Sequence, residues 1–385
     1  MSADLLTLTF DDACPAARVL SEEPAVTWHK PLPGLLLNLS GQAFDPARLN
    51  TGDRPSHARR LERLHSVHLL WSNFFLVDGC VCTTYDGNAR ASVQQVVAYE
   101  DLSRYVGIAR HGEDFVVCRA RLRDAQRIEG PVLFATSDEP HNWGLWLLYS
   151  LPAVVHFTRN RHLYRKLFVF ATHPNMRAIL TLLGVRDDEV ILHDCGTAYW
   201  FEEVHVFRQS MRDCYVSPAA RGLYTQLRDA VMARHGPSPA RKLYVARLRR
   251  TRELNAYRGM LNEQALAERL AALGYFVIEP EFLPVEEQVR LFAGAERIVA
   301  IGGAGLFNTV FCRPGARLLD IESTPLFLDA HSNVFAGAGL EYGLVIGRED
   351  LADSSLAHRR WTLDLDAAMP AIAAFMDDRQ QSTPC

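Results

Sequence analysis

The stretch that decides the fold is "IVAIGGAGLFNTVFCRPG", which runs from Ile298 to Gly315. It opens with apolar, β-prone residues, as in a strand buried on both faces, and then passes through four small residues, Gly302 to Gly305, into a predicted short helix. Such a turn leaves backbone N–H groups unobstructed at the positive end of a helix. It suits a phosphate or pyrophosphate, although close packing of a helix on a strand explains a lone glycine cluster equally well.

Strand and helix signals alternate on either side of this stretch. The predicted order is a strand "KLYVAR" (242–247), a helix "NEQALAERLAALG" (262–274), a strand "YFVIEP" (275–280), a helix "PVEEQVRLFAGA" (284–295), the strand and short helix of the opening stretch, and a strand "ARLLDIE" (316–322). Gly274 stands where a helix C-cap belongs, and Pro284 suits a first helical position. The alternation predicts a parallel, doubly wound α/β sheet, with its ligand beyond the carboxyl ends of the strands.

A second α/β domain is predicted before this one. Gly236, Pro237 and Pro239 end a helical pattern and mark a boundary. We therefore expect an N-terminal domain over residues 1–234, a Rossmann-like domain over residues 240–350, and a C-terminal helix within residues 356–385 that can pack back onto the first domain. Strand candidates in the first domain are "RLHSVHLLW" (63–71), "PVLFATSD" (131–138), "KLFVFATH" (166–173) and "VHVFRQS" (204–210).

Composition narrows the class of protein. The chain has 385 residues, 48% of them hydrophobic, which is enough for two domains, and its net charge of -4 argues against a nucleic-acid-binding surface over the whole protein. Eight cysteines without a CxxC pair predict no zinc site and a reducing compartment. The acidic N-terminus does not resemble a signal peptide, and no apolar run is long enough to span a membrane. We expect a cytoplasmic protein and leave peripheral membrane association and oligomeric state open.

Basic residues cluster around the first strand of the predicted parallel sheet, most of them just past its carboxyl end. They are Arg241, Lys242, Arg247, Arg249, Arg250, Arg252 and Arg258. Guanidinium groups bind phosphate oxygens bidentately, and the glycine loop is predicted to emerge at the same edge of the sheet. Arg247, directly at the strand end, is the preferred candidate for a diphosphate site, whereas Arg249, Arg250 and Arg252 also fit a solvated loop.

These motifs together resemble glycosyltransferase family 61. The pattern of that family runs K-[IL]-Y-[IV]-[SA]-R, R-x-[IL]-x-N-E, a glutamine-bearing helix, H-G-A-G-[LM]-x-N, P-G and an acidic strand, and residues 242–322 follow it in order and spacing. Upstream, "NWGLWLLYSLP" (142–152) is similar to the segment N-x-x-H-W-L-L-[DE]-x-L-P of the family. The resemblance covers about half of the chain, roughly residues 139–322.

The resemblance implies a GT-B-like fold, with two Rossmann-like domains facing across a cleft and the C-terminal one holding a nucleotide sugar. The implied reaction is inverting, metal-independent transfer of a sugar from a nucleoside diphosphate donor, preferably UDP, to a hydroxyl acceptor. Bacterial relatives act on capsular and other surface polysaccharides, so a glycan or glycolipid is the implied partner. The nucleotide sugar is a co-substrate, and no cofactor or metal is expected.

Site residues carry over position by position. Those that match the pattern, or adjoin it, are Arg247, Arg258, Asn262, Glu263, Gln288, Gly302, Gly303, Ala304, Gly305, Asn308, Asp320 (where the family usually has Glu) and Glu322. Arg247 and Arg258 would neutralise the leaving diphosphate, and Asp320 or Glu322 would accept ribose hydroxyl protons. Alternatively, Glu263 only caps its own helix, and Asn308 only ties the loop to its helix.

The match fails at the expected catalytic base. Gly302 and Leu145 stand where the family has histidine, and Tyr149 stands where it has an acid. His141 lies four residues before Leu145, so in a helix the two would share a face, and we hypothesise that His141 is the base, with Asp138 or Glu139 as alternatives. A simple capping role for His141 is the competing interpretation.

Aromatic residues of the predicted N-terminal domain are a further candidate feature. They can stack on a sugar acceptor or pack in the core, and they are Trp143, Trp146, Tyr149, Tyr199 and Trp200.

Two other classes of function remain open. One is a catalytically silent nucleotide-sugar-binding or scaffolding subunit, which the missing histidines favour. The other is a dinucleotide-dependent oxidoreductase, which is disfavoured because the glycine loop follows the third strand instead of the first.

Overall fold

The computed structural model describes residues 4–12, 14, 16–84, 89–98, 107–208, 214–249, 258–353 and 359–377. The fold is α/β. It divides into two compact units, each described by itself below. The first unit comprises Met1–Val26 and Pro55–Asp213, and the second comprises Thr27–Arg54 and Cys214–Cys385.

The strands in chain order are β1 (Leu5–Thr7), β2 (Thr9–Phe10), β3 (Arg18–Glu23), β4 (Thr27–Lys30), β5 (Leu35–Asn38), β6 (Gly52–Pro55), β7 (Arg59–Leu69), β8 (Phe74–Val77), β9 (Cys80–Thr83), β10 (Ile108–His111), β11 (Asp114–Cys118), β12 (Gln126–Ala135), β13 (Lys166–Val169), β14 (Val190–Leu192), β15 (Tyr199–Arg208), β16 (Lys242–Val245), β17 (Phe276–Ile278), β18 (Arg297–Ile301), β19 (Arg317–Glu322), β20 (Glu341–Ile346), β21 (Arg348–Glu349) and β22 (Trp361–Thr362).

The α-helices are α1 (Ala89–Ala98), α2 (Arg119–Arg123), α3 (Trp143–Leu145), α4 (Leu151–Arg159), α5 (Pro174–Leu182), α6 (Pro218–His235), α7 (Glu263–Ala272), α8 (Val285–Gly294), α9 (Leu328–Ala338) and α10 (Leu365–Asp377). Short 3₁₀ helices lie at Pro46–Leu49, Arg161–Leu163, Asp187–Glu189, Pro280–Phe282, Ala304–Phe311 and Pro325–Phe327, and Trp146–Ser150 is a π-helical turn between α3 and α4.

The first unit is built on a mixed sheet of order β14-β13-β12-β15-β7-β8-β9-β2, with β3 also paired to β7. Strands β12 to β15 run parallel, whereas β7, β8 and β9 are antiparallel to their neighbours in the run from β15 to β9. The four strands predicted from sequence are present as β7, β12, β13 and β15. The β14-β13-β12-β15 half has the parallel pairing expected of a Rossmann-like domain, whereas the pairs in the other half are antiparallel except for β9 with β2.

The second unit contains the predicted parallel sheet, of order β17-β16-β18-β19-β20-β5, and every neighbouring pair in it is parallel. The predicted alternation of strands and helices is confirmed from β16 to β19. After β16 the chain forms β17 on one side of β16, then returns to form β18 on the other side, and continues outward to β19 and β20. The connections therefore diverge between β16 and β18, which is where open parallel sheets bind ligands.

Two segments distant in sequence complete the second unit, in contrast to the expected boundaries. Strand β5 pairs with β20 and so covers a sheet edge that would otherwise expose backbone groups. Helix α10 packs in the core of the second unit, not on the first, because its buried residues Ile372 and Met376 join a cluster that includes Leu319 and Val345. Full burial of each such side chain contributes about 1.5–3 kcal/mol. Helix α6 also belongs to this unit, so the boundary precedes that helix.

A buried lysine attaches the N-terminal part of the second unit to α9. The side chain of Lys30 is fully buried, and its ammonium group donates to the Leu49 carbonyl at 2.6 Å and to Asp329 Oδ1 at 2.7 Å. Arg54 donates to the same carboxylate at 3.3 Å. A charge removed from water this completely depends on its partners for stability.

Within the described part of the chain, no helix is both long and apolar enough to cross a bilayer.

We expect Lys30→Met to lower the free energy of unfolding by about 2–3 kcal/mol, because it leaves the Leu49 carbonyl and part of the Asp329 carboxylate without their partner. The measurement is the midpoint of urea unfolding. Arg48→Met, an exposed change on the same segment, is the control and should shift the stability by less than about 0.5 kcal/mol. Equal midpoints for the two variants would contradict the role given to Lys30.

Candidate active site

The carboxyl ends of β16 and β18 bring Arg247 and the glycine loop together. The Arg247 guanidinium donates from Nη1 to the Gly302 carbonyl at 3.3 Å. It also lies against Gly303, where an added Cβ would be 3.6 Å from Nη1. Gly303, Ala304 and Gly305 are partly exposed at the start of the Ala304–Phe311 helix, which is a 3₁₀ helix. The edge therefore combines a fixed cation with backbone N–H groups. Arg250 and Arg252 lie outside the described residues.

Of the two asparagines of the pattern, Asn308 supports this loop from inside and Asn262 does not contact it. Asn308 is fully buried, and its Nδ2 donates to Gln288 Oε1 at 2.9 Å and to the Gly305 carbonyl at 3.1 Å. Asn262 makes two hydrogen bonds with the backbone of Leu363. Asn308 therefore ties the loop to its helix, which is the alternative interpretation given for it above. Asn262 instead binds Leu363, the residue that follows β22.

Glu263 reaches across to β16 and does not cap its own helix. It is the first residue of α7, it is buried, and its Oε1 accepts the backbone N–H of Arg247 at 2.6 Å. The Tyr244 hydroxyl lies 3.5 Å from the same oxygen. Burial raises the pKa of Glu263 to about 7, against the opposing effect of the Arg247 hydrogen bond and charge. This carboxyl group therefore titrates near neutral pH.

Arg258 and Glu322 form a buried ion pair beneath the loop. Arg258 Nη2 lies 2.6 Å from Glu322 Oε2, and the two side chains are only 13% and 1% exposed. The guanidinium also stacks over Phe327 at 4.7 Å. Gly302 makes room for this pair, because a Cβ on Gly302 would lie 1.8 Å from Glu322 Oε1. The carboxylate thus fills the space of the side chain that Gly302 lacks.

His331, which the sequence analysis missed, completes a charged cluster. It lies on α9, and its Nδ1 is 2.9 Å from Asp320 Oδ2 and 3.3 Å from Glu322 Oε1. Burial tends to lower the pKa of His331, but the carboxylates of Asp320 and Glu322 raise it overall. Burial raises the pKa of Glu322, with Arg258 opposing. Asp320 and Glu322 are thus enclosed and paired within the protein, and their expected role as acceptors of ribose hydroxyl protons stays a prediction.

Among the described residues, one group offers three potential metal ligands within 4.8 Å of one another, namely Asp320, Glu322 and His331. Carboxylate and imidazole groups are suitable ligands for a divalent cation. Arg258, however, already places a positive charge at Glu322, and a metal ion would have to compete with it.

The segment around His141 differs from the predicted helix. Helix α3 begins only at Trp143, and the Asn142 side chain caps it by accepting the N–H groups of Gly144 and Leu145. His141 precedes the cap, so the expectation that it shares a helical face with Leu145 is wrong. It is not the cap, and its exposed ring is covered only in part, by an edge-on contact with Phe170 at 4.4 Å. Partial burial lowers the pKa of His141, which favours the neutral imidazole at neutral pH.

The aromatic residues near His141 are mostly core residues. Trp146, Tyr149 and Tyr199 are buried, whereas Trp143 and Trp200 are partly exposed. Trp143 stacks on Trp146 at 5.8 Å. Core packing, one of the two roles considered from the sequence, therefore accounts for Trp146, Tyr149 and Tyr199.

A buried histidine follows β14 at the same edge of the sheet as His141. His193 is 2% exposed, and among the described residues neither of its ring nitrogens has a hydrogen-bond partner. Burial lowers its pKa to about 3, so the ring is neutral. Its position at a strand end is the signal that the sequence analysis overlooked.

The fold is α/β, and at the carboxyl edge of the parallel sheet in the second unit Arg247 lies beside the glycine loop. The sequence model of the family described as Glycosyltransferase 61 matches residues 80–319, and the chain belongs to that family. The resemblance seen in the sequence is thereby confirmed, and family membership implies glycosyltransferase activity. None of the curated proteins is significantly similar to this chain. The family match ends one residue before Asp320.

Glu263 should make stability depend on pH. Its pKa rises on folding from an ordinary 4.5 to about 7, so the stabilisation from its proton is complete below pH 4.5 and is lost as the pH rises through 7. We expect Glu263→Gln to be more stable than the wild type by about 2–3 kcal/mol at pH 8 and about equal to it at pH 4. Urea unfolding at both pH values tests this. Glu268→Gln, exposed on the same helix, should show no such divergence.

We expect Gly302→Ala to destabilise the second unit by about 1–3 kcal/mol, because the new methyl group must displace the Glu322 carboxylate. The measurement is the urea unfolding midpoint. Gly222→Ala in α6, where nothing lies within 4 Å of an added Cβ, is the control and should be neutral or stabilising by up to about 1 kcal/mol. A harmless Gly302→Ala would mean that Glu322 is not fixed as described.

Proposed function

We propose that the protein transfers a sugar from a UDP-sugar donor to a hydroxyl group of a surface polysaccharide or glycolipid acceptor, with inversion and without a metal ion. The observation that carries the proposal is the meeting of Arg247, Arg258 and the glycine loop at Gly302. Arg247 binds the Gly302 carbonyl, and Arg258 binds the carboxylate packed on the Gly302 Cα. One cation thus lies beside the glycine loop, and a second, paired with Glu322, lies beneath it, at the edge where a parallel sheet binds its ligand.

The proposed chemistry is a single displacement. The acceptor oxygen attacks the anomeric carbon while its proton passes to His141, and the bond from that carbon to the diphosphate breaks. The electron pair stays on the leaving phosphate oxygen, where Arg247, Arg258 and the loop N–H groups stabilise the growing negative charge. His141 suits the base role because its lowered pKa keeps the ring neutral and its exposed position is open to an acceptor.

Further parts of the proposal rest on the family resemblance. They are the GT-B type, the choice of UDP over GDP or CMP, and action from the cytoplasmic side. Metal independence has an additional argument from charge. Arg258 already pairs with Glu322, and His331 contacts Asp320, so a metal ion would have to compete with both partners.

A silent nucleotide-sugar-binding subunit is the alternative. Gly302 and Leu145 occupy the positions of two family histidines, and this departure favours binding without turnover. An assay of donor hydrolysis or of sugar transfer distinguishes a transferase from a silent binding subunit. An active wild type whose His141→Ala variant binds UDP but does not turn over supports the transferase with His141 as base. Full activity of His141→Ala would remove His141 from the mechanism.

We expect UDP to stabilise the wild type selectively in a thermal-shift panel of UDP, GDP, CMP and NAD. Ligand at 100 times its dissociation constant contributes about 2.7 kcal/mol. Arg247→Ala should lose most of this shift, because it removes the cation next to the loop, whereas Arg269→Ala, an exposed arginine on α7, should keep it. A shift with NAD alone would contradict the transferase proposal, and equal shifts in both arginine variants would place the nucleotide elsewhere.

A further inference from the structure

A cavity of about 170 Å³ opens within the second unit, at the carboxyl ends of β19, β20 and β5. It is smaller than the roughly 300–1,000 Å³ of a pocket for a whole drug-sized ligand, so it can hold one part of a nucleotide sugar. Its polar lining comes from residues that closely follow these three strands, namely Ser323 and Thr324 after β19, Arg348 after β20, and Ser40 and Gln42 after β5.

The cavity begins next to the proposed diphosphate site. Ser323 directly follows Glu322, whose carboxylate lies against the Cα of Gly302 in the glycine loop. The loop follows β18, which pairs with β19, and neighbouring strands lie about 5 Å apart. A group attached to a diphosphate at the loop can therefore reach the cavity directly.

Hydroxyl and guanidinium groups line the cavity. In the part of the chain that the structure describes, the side chains of Ser323, Thr324 and Arg348 make no hydrogen bond or ion pair. Ser323 is only 4% exposed, so bulk water has little access to its hydroxyl group. A buried hydroxyl group without a hydrogen bond costs free energy, and an oxygen of a ligand in the cavity can supply the missing partner.

Arg348 gives the wall of the cavity a positive charge. Its backbone is held in the ladder of β21 and β22, where it pairs with Thr362. The neighbouring acid of the wall, Glu349, lies 3.7 Å from Arg359, so its charge is already balanced. Because Arg247 serves the diphosphate, a further cation at this edge indicates a second anionic group in the ligand. A planar guanidinium group fits a carboxylate bidentately.

The other side of the glycine loop suits the nucleoside. Pro280 faces Gly305, where an added Cβ would lie 3.5 Å from the proline ring. Phe282, two residues further on, is 43% exposed, and the Arg249 guanidinium stacks on its ring at 3.7 Å. Aromatic and guanidinium planes of this kind stack on flat bases. A base on the β17 side leaves the cavity beyond β19 for the sugar.

We propose that the cavity binds the donor sugar and that Arg348 selects a sugar with a carboxylate group, as in a uronic acid. This inference rests on the proposed function and deepens it by naming the class of sugar. Ring hydroxyls of the sugar bind to Ser323 and Thr324, and the carboxylate binds to Arg348. A neutral sugar leaves the guanidinium without this bond and therefore binds more weakly.

The test measures the affinity of the full chain for UDP, UDP-glucose and UDP-glucuronate by calorimetry. The two sugars differ only where the hydroxymethyl group of glucose is a carboxylate in glucuronate. We expect the wild type to bind UDP-glucuronate about tenfold more tightly than UDP-glucose, because the carboxylate adds a charge-assisted hydrogen bond. Arg348→Met should lower the affinity for UDP-glucuronate to that for UDP-glucose.

Arg313→Met is the matched control. Arg313 is also exposed, but it precedes β19 and so lies at the amino edge of the same sheet. This variant should keep the preference for UDP-glucuronate. Urea unfolding of both variants confirms that each is folded before the affinities are compared.

Each result supports or overturns the inference. A preference for UDP-glucuronate that Arg348→Met removes and Arg313→Met keeps supports it. A preference that Arg348→Met also keeps means that the carboxylate binds elsewhere, and a loss of affinity for UDP itself in Arg348→Met assigns the cavity to the nucleoside. Either result overturns the inference.

Two further results separate the inference from the proposed function. Equal affinities of the wild type for the two UDP-sugars overturn the inference, but they leave the proposed function intact if UDP binds and Arg247→Ala weakens that binding. Failure of the wild type to bind any of the three probes removes the proposed donor site and the inference together.

Discussion

The ion pair between Arg258 and Glu322 is the interaction on which the site depends. A carboxylate that is only 1% exposed must be paired, and Arg258 supplies the pair at 2.6 Å. The pair fits because Gly302 has no side chain, so the carboxylate can lie against its Cα. The carbonyl of the same glycine fixes Arg247. One position without a Cβ therefore sets the places of two cations and of the loop between them.

Most of the second unit could be predicted from its sequence because its signals are local. The apolar strand before Gly302, the C-cap Gly274 and the helical period of α7 and α8 each lie within a short window, and parallel pairing follows from their order. The same locality explains the placement of Arg247 beside the glycine loop. Both follow directly from neighbouring strand ends, and no long-range information is needed to bring them together.

The features that could not be predicted depend on contacts between distant residues. Strand β5 and helix α10 join the second unit because of a free sheet edge and an apolar face, and neither has a marker in its own sequence. His331 looks like an ordinary helical residue until α9 is packed against β19. The error at His141 was avoidable, because Asn142 is a good N-cap residue and a helix beginning after it excludes His141. The antiparallel half of the first sheet has no such local marker.

The use of β5 as an edge strand has a consequence for biosynthesis. Pro31, in the connection between β4 and β5, and Tyr342, on β20, are 311 positions apart in the chain, yet they are joined by a hydrogen bond. Ribosomes add about 5–20 residues per second, so the N-terminal segment waits roughly 15–60 s for its partner strand to be made. Until then the segment from β4 to β6, with the ammonium group of Lys30, has no α9 to bind. Strand β5 is thus among the first strands of the second unit to be synthesised and among the last to be paired.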